Sequence, residues 1–109
     1  MSMDLNCERA MGLIIPAVRI SVSKKLRKEG MAQAEISRRL GIRQATVSKY
    51  LTGKYSSRLK AAERIVDSKG ISANVAGLII RGSGPKQVSA VLDAIAFRKD
   101  VILAASRIA

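Results

Sequence analysis

Residues 33–53 read Gln33-Ala-Glu-Ile-Ser-Arg-Arg-Leu-Gly-Ile-Arg-Gln-Ala-Thr-Val-Ser-Lys-Tyr-Leu-Thr-Gly53. Two short helical runs meet at Gly41. Ile36 and Leu40 share a face of the first, expected over Ala32–Leu40; Val47 and Leu51 share a face of the second, which begins by Gln44 and reaches about Leu51. Gly41 suits a sharp turn because no Cβ opposes left-handed backbone there. Ser37, four residues earlier, is small enough to sit where two steeply crossed helices touch. Ile36, Leu40, Ile42, Val47 and Leu51 are spaced to lock the pair onto another helix. Each feature alone is common; in this order within 21 residues they are a strong signal.

Upstream, Asp4 is expected to cap a short helix carrying Leu5, Met11 and Ile14. Pro16 then fits the first turn of a second helix running to Glu29 and ended by Gly30. In that helix Val18, Val22 and Leu26 recur every fourth residue, with Lys24, Lys25, Arg27 and Lys28 toward solvent. Downstream, Ser57–Lys69 reads as a helix capped by Ser56 or Ser57, with Leu59, Ala62 and Val66 inward and Gly70 closing it. Ser72–Arg81 reads as a further, very apolar helix. From Pro85 the pattern is helical to the end. One stripe is Val88, Leu92, Ile95 and Ile102; a second is Ala94, Phe97, Val101, Ala105 and Ile108. Asp100 is a possible cap within it, so the segment forms one helix or two.

A chain of 109 residues with 3% aromatics must build one modest aliphatic core. Sparse Pro and Gly favour helices, so an all-α fold is expected. The net charge of +12 is unevenly placed. Residues 1–18 carry −1, residues 19–69 carry +10 and residues 70–109 carry +3. A polyanion partner for the middle of the chain follows as an expectation.

With no His and one Cys, neither a Cys/His zinc site nor a Ser-His-Asp or Cys-His catalytic set is possible. No paired carboxylates or Gly-rich phosphate loop is visible either, so no enzyme, cofactor or metal is expected. Cys7 is expected as a small core residue. The longest uncharged runs, Ala10–Val18 and Gly70–Ile80, are too short for a bilayer. Asp4 and Glu8 stand where a secretion signal wants cations. The expected location is the cytoplasm, in association with the nucleoid.

The segment from Gln33 through Gly41, Gln44 and Val47 to Gly53 resembles the helix-turn-helix of phage repressors. A longer stretch, over roughly residues 6–70, resembles small archaeal helix-turn-helix transcription regulators. It includes Cys7-Glu8, Pro16-Ala17-Val18-Arg19, Leu40-Gly41-Ile42, Gln44-Ala45-Thr46-Val47-Ser48 and Tyr50-Leu51-Thr52-Gly53-Lys54. Ser37 departs from the pattern, standing where alanine is usual. Beyond Gly70 no sensory domain is recognisable, and a small-molecule effector stays unknown. The expected fold is an all-α helix-turn-helix bundle of about five helices with an additional C-terminal helical segment. Residues 1–70 would bind DNA and residues 71–109 would form a dimerisation element.

The resemblance implies that a recognition helix over about 44–52 enters the major groove of double-stranded DNA. On a helical wheel Val47, Tyr50 and Leu51 point inward, and Ala45, Ser48, Lys49 and Thr52 point outward, with Gln44 at the start. Those five outward residues are the candidate base contacts. Gln44 suits adenine, Ala45 a thymine methyl, and Ser48 several bases. Gln33, Arg38, Arg39, Arg43, Lys54 and Arg58 are candidate phosphate contacts. Val91, Ile95, Phe97, Val101 and Ile108 are candidates for a homodimer interface, since two modules read two half-sites. The competing readings are the antitoxin of a toxin–antitoxin pair, a non-specific architectural DNA-binding protein, and a helical adaptor. The adaptor leaves the +10 segment without a purpose.

Overall fold

Seven helices form over residues 5–108, the stretch that the computed structural model describes, with side chains from residue 9. They are α1 (Leu5–Lys28), α2 (Gln33–Leu40), α3 (Gln44–Leu51), α4 (Ser57–Ser68), α5 (Ile71–Ile80), α6 (Pro85–Ala96) and α7 (Lys99–Ser106). The all-helical expectation holds, and the described residues contain no strand. The expected cap at Asp4 and the core placement of Leu5 and Cys7 lie outside the described side chains.

The expectation of two N-terminal helices is corrected. Pro16 lies inside a single 24-residue helix. An interior proline removes one backbone hydrogen bond and crowds the carbonyl four residues earlier, at a cost of about 3 kcal/mol. That carbonyl belongs to Gly12, which is exposed and has open space at its Cβ position. Against the proline stands the burial of Ala10, Ile14, Ala17, Val18, Ile20, Val22 and Leu26, all 1% exposed or less. A fully buried Val, Ile or Leu contributes about 1.5–3 kcal/mol, so packing of α1 outweighs its local defect. Every other helix packs on α1.

The remaining boundaries follow local chemistry. Ser56 caps α4, its hydroxyl accepting from the Leu59 N–H at 3.2 Å. Pro85 opens α6, where the Gln87 side chain accepts from the Gly84 N–H at 3.2 Å. The C-terminal segment is two helices broken at Phe97-Arg98. Asp100 does not cap α7: Arg98 occupies the cap position, and Asp100 lies in the first turn, 2.9 Å from the Arg98 guanidinium. That hydrogen bond holds the Asp100 carboxyl below its ordinary range.

One continuous core runs through the bundle. Val18, Val22 and Leu26 meet Ile36, Leu40 and Val47 from the crossed pair, and Ala62 and Val66 from α4. Val75 and Ile79 of α5, Val88, Leu92 and Ile95 of α6, and Val101 and Ala105 of α7 complete it.

Candidate nucleic-acid interface

The crossed pair is set by the turn between α2 and α3. Gly41 adopts φ +67, where an L-residue would be strained, and its N–H donates to the Arg38 carbonyl at 3.3 Å. The Ile42 N–H donates to the Ser37 carbonyl at 3.1 Å, completing a Schellman closure of α2. Ser37 adds a further tie, its hydroxyl donating to the Ile42 carbonyl. The serine that departs from the usual alanine is therefore a turn lock as well as a small contact residue. From that turn Ile42 and Leu51 pack half-buried against the core, and Val47 is fully buried.

Those anchors leave one face of α3 free. Gln44, Ala45, Lys49 and Thr52 are exposed and Ser48 is half-buried. Arg43 precedes the helix in extended conformation without a side-chain cap. The first N–H groups of α3 therefore have no side-chain cap acceptor, and a helix end of this kind favours negative charge. The helix itself carries no acidic residue and one lysine. Thr52 turns its hydroxyl back onto the helix, donating to the Ser48 carbonyl at 2.8 Å.

The candidate cations divide into three kinds. Arg43, Lys54 and Arg58 are exposed and make no side-chain hydrogen bond or ion pair among the described residues. Arg38 is exposed and pairs with Glu35 one turn earlier. Arg39 is turned inward: its guanidinium donates to the Ile79 carbonyl on α5 and lies 3.7 Å from Glu35. This placement revises the expectation for Arg39, because a side chain spent on tying α2 to α5 is not free for a phosphate. Gln33 is half-buried at the start of α2.

A cluster that sequence spacing does not reveal lies behind α3. Lys24 of α1 donates to the Tyr55 hydroxyl at 2.7 Å and to Glu63 Oε2 at 2.9 Å. The Tyr55 hydroxyl donates to Glu63 Oε1 at 2.6 Å, closing a triangle. Tyr50 of α3 and Tyr55 pack T-shaped, with ring centroids 6.3 Å apart and planes at 88°. Lys60 Nζ lies 5.6 Å from the same ring centroid. Burial and then the hydrogen bond to Glu63 push the Tyr55 hydroxyl above its ordinary pKa. Burial pulls Lys24 down, but its bonds to Tyr55 and Glu63 outweigh that and hold it above its ordinary value. Tyr55 and Glu63 are 31 and 39 positions from Lys24, so no local periodicity could have joined the three.

The expected interface residues of the C-terminal segment also separate. Ile95 and Val101 are buried in the core of the single chain, and Val91 and Ile108 are half-buried against it. That expectation is revised for Ile95 and Val101, since α1 and its neighbours already cover them. Phe97 stands apart at 70% exposed. On the same helical face lie the exposed Ala90 and Ala94 of α6.

Residues 23–74 match the family described as helix-turn-helix. No curated protein and no solved structure was found to match the chain. The match spans the end of α1, the crossed pair, α4 and the start of α5, the elements assembled above. The chain thus carries a helix-turn-helix domain of the Cro/C1 type, which supports a DNA-binding regulator. No helix among the described residues is long and apolar enough to cross a membrane.

Proposed function

We propose that this chain is a sequence-specific transcription regulator that inserts α3 into the major groove of double-stranded DNA as a homodimer. The observation that carries the reading is the free face of α3. Val47 and Tyr50 fix the helix from behind, while Gln44, Ala45, Ser48, Lys49 and Thr52 face away from the core. A purely electrostatic binder gains more from Lys or Arg at such positions than from glutamine and serine. Gln44 presents a donor and an acceptor to adenine, and Ala45 offers a methyl group to thymine. Thr52 offers its methyl group, since its hydroxyl proton is held by the helix. Lys49 reaches guanine or a neighbouring phosphate.

Arg43, Lys54 and Arg58 contact phosphates, with Arg38 joining them if it leaves Glu35, and Gln33 contacts the backbone at the start of α2. Residues 71–109 contribute the dimer surface through the outer face of α6, where Phe97, Ala94 and Ala90 succeed one another at helical spacing. Selection of bound sequences from a random DNA pool tests the reading. The expected product is a palindromic consensus. Gln44→Ala should then cost about 1–3 kcal/mol at the cognate site and relax the preference at one base pair. Recovery of no consensus would support an architectural protein and remove the regulator.

A further inference from the structure

Tyr55 occupies a position in the bundle that its neighbours in sequence do not. It belongs to the short connection between α3 and α4, yet its side chain touches three helices. The hydroxyl bridges Lys24 of α1 and Glu63 of α4, and the ring packs T-shaped with that of Tyr50 from α3. Glu63 is 9% exposed, which gives the hydrogen bonds to its carboxylate more weight than exposed ones carry. Two cations, Lys24 and Lys60, also lie 5.3 and 5.6 Å from the ring centroid. The connection is held at one point by a satisfied polar network.

The residue immediately before this anchor is Lys54. Its N–H donates to the Lys49 carbonyl at 2.9 Å, closing the end of α3 across Gly53 at φ +73. On its other side the Tyr55 N–H donates to the Gly53 carbonyl at 3.0 Å. Lys54 is thus the middle residue of a tight turn fixed at α3 by backbone bonds and at α1 and α4 by Tyr55. Its side chain is exposed and has no partner among the described residues. A long, mobile lysine gains from such a base, because less freedom is left to lose when it meets a phosphate.

We infer that Tyr55 is a positioning residue for DNA binding: the Lys24–Tyr55–Glu63 triangle presents Lys54 to a backbone phosphate beside the groove that α3 enters. The inference rests on the DNA-binding reading above. It makes an unusual demand, since removing one uncharged oxygen should abolish a contact made by a cation elsewhere.

The test is the salt dependence of binding to the selected DNA site, measured by fluorescence anisotropy at several salt concentrations. Each phosphate contact contributes about 0.9 to the slope of log K against log salt. Lys54→Ala should lower the slope by about one. Tyr55→Phe, which keeps the ring and every cation, should do nearly the same and weaken binding about three- to tenfold. Combining Tyr55→Phe with Lys54→Ala should add less than twofold to either alone. Glu63→Gln keeps one acceptor oxygen in place of two and should fall between wild type and Tyr55→Phe, whereas Glu63→Leu should behave as Tyr55→Phe does. Circular dichroism establishes that each variant is folded at the assay temperature; should Tyr55→Phe unfold, Lys24→Met breaks the triangle from the other side and carries the same expectation. A wild-type slope in folded Tyr55→Phe, or full additivity with Lys54→Ala, overturns the positioning role and leaves the DNA-binding reading standing. Absence of salt-dependent DNA binding by the wild-type chain overturns both.

Discussion

If the chain pairs as proposed, truncating Phe97 to alanine should dissociate the proposed dimer without unfolding the chain. A phenylalanine offers roughly 200 Å² for burial. Since 70% of it is exposed in the single chain, about 140 Å² awaits a partner. At about 25 cal/mol per Å² this amounts to ~3.5 kcal/mol for each copy, and two-fold symmetry counts it twice. Alanine retains part of that area, so the loss on Phe97→Ala is about 4–6 kcal/mol per dimer, or three to four decades in Kd. The loss of rigid-body freedom on association is common to wild type and variant and cancels in the comparison. Sedimentation velocity over a concentration series reads the shift directly. Thermal unfolding of the dissociated variant should match that of wild-type monomer, because Phe97 contributes little to the core. Wild-type protein that stays monomeric at tens of micromolar, or a Phe97→Ala chain that dimerises as wild type does, refutes the assignment of this surface.

Three further outcomes follow from the frame around α3. Gly41→Ala places a side chain at φ +67 where the nearest heavy atom beyond its neighbours is Pro85 Cβ at 4.0 Å, so the cost is backbone strain alone, about 1–2 kcal/mol by urea unfolding. Val47→Ala removes two methyl groups from a fully buried position and should destabilise by about 1.5–3 kcal/mol while leaving the base preference of the folded protein unchanged. Alkaline titration tests the triangle: Lys24 and Tyr55 both lie above their ordinary values when folded, so the stability they supply is complete below the unfolded-state values and is lost as pH rises through the folded ones. The urea midpoint should fall above about pH 10, and a Lys24→Met, Tyr55→Phe chain should show a shallower fall; an identical alkaline profile in both proteins would count against the network.

Removal of residues after Gly84 illustrates how the C-terminal segment differs from a detachable arm. The apolar stripes are legible in the sequence, but a stripe shows only that something covers it. The cover for Val88, Leu92, Ile95, Val101 and Ala105 is the chain's own core. Such a truncation would expose that core and should unfold or aggregate the protein rather than release a folded monomer. Phe97 belongs to the same helical pattern as Val101 and Ala105, yet it falls at the break between α6 and α7 and turns outward. Periodicity cannot separate these cases, because it assumes an unbroken helix.

What the sequence conveys well is whatever is decided within a few residues. Gly41 and the spacing of Ile36, Leu40, Val47 and Leu51 define the crossed pair because the turn closes through bonds from residues 41 and 42 to residues 38 and 37. Pro16 fails as a boundary for the opposite reason: its preference is local, and it is opposed by burial against helices that begin as far away as Lys99. Arg39 shows the same competition on a charged residue. Its neighbours Arg38 and Arg43 are exposed and basic, as a phosphate-facing patch requires, and the Ile79 carbonyl, 40 positions away, together with Glu35 draws Arg39 out of that set. The exposed face of α3 proposed to read bases is legible and part of its support is not, since α3 is held at its C-terminal end by Tyr55, which reaches Lys24 and Glu63 across the fold. If specificity depends on how rigidly that short helix is presented, substitutions in the triangle will alter DNA binding more than their exposure and distance from the groove suggest.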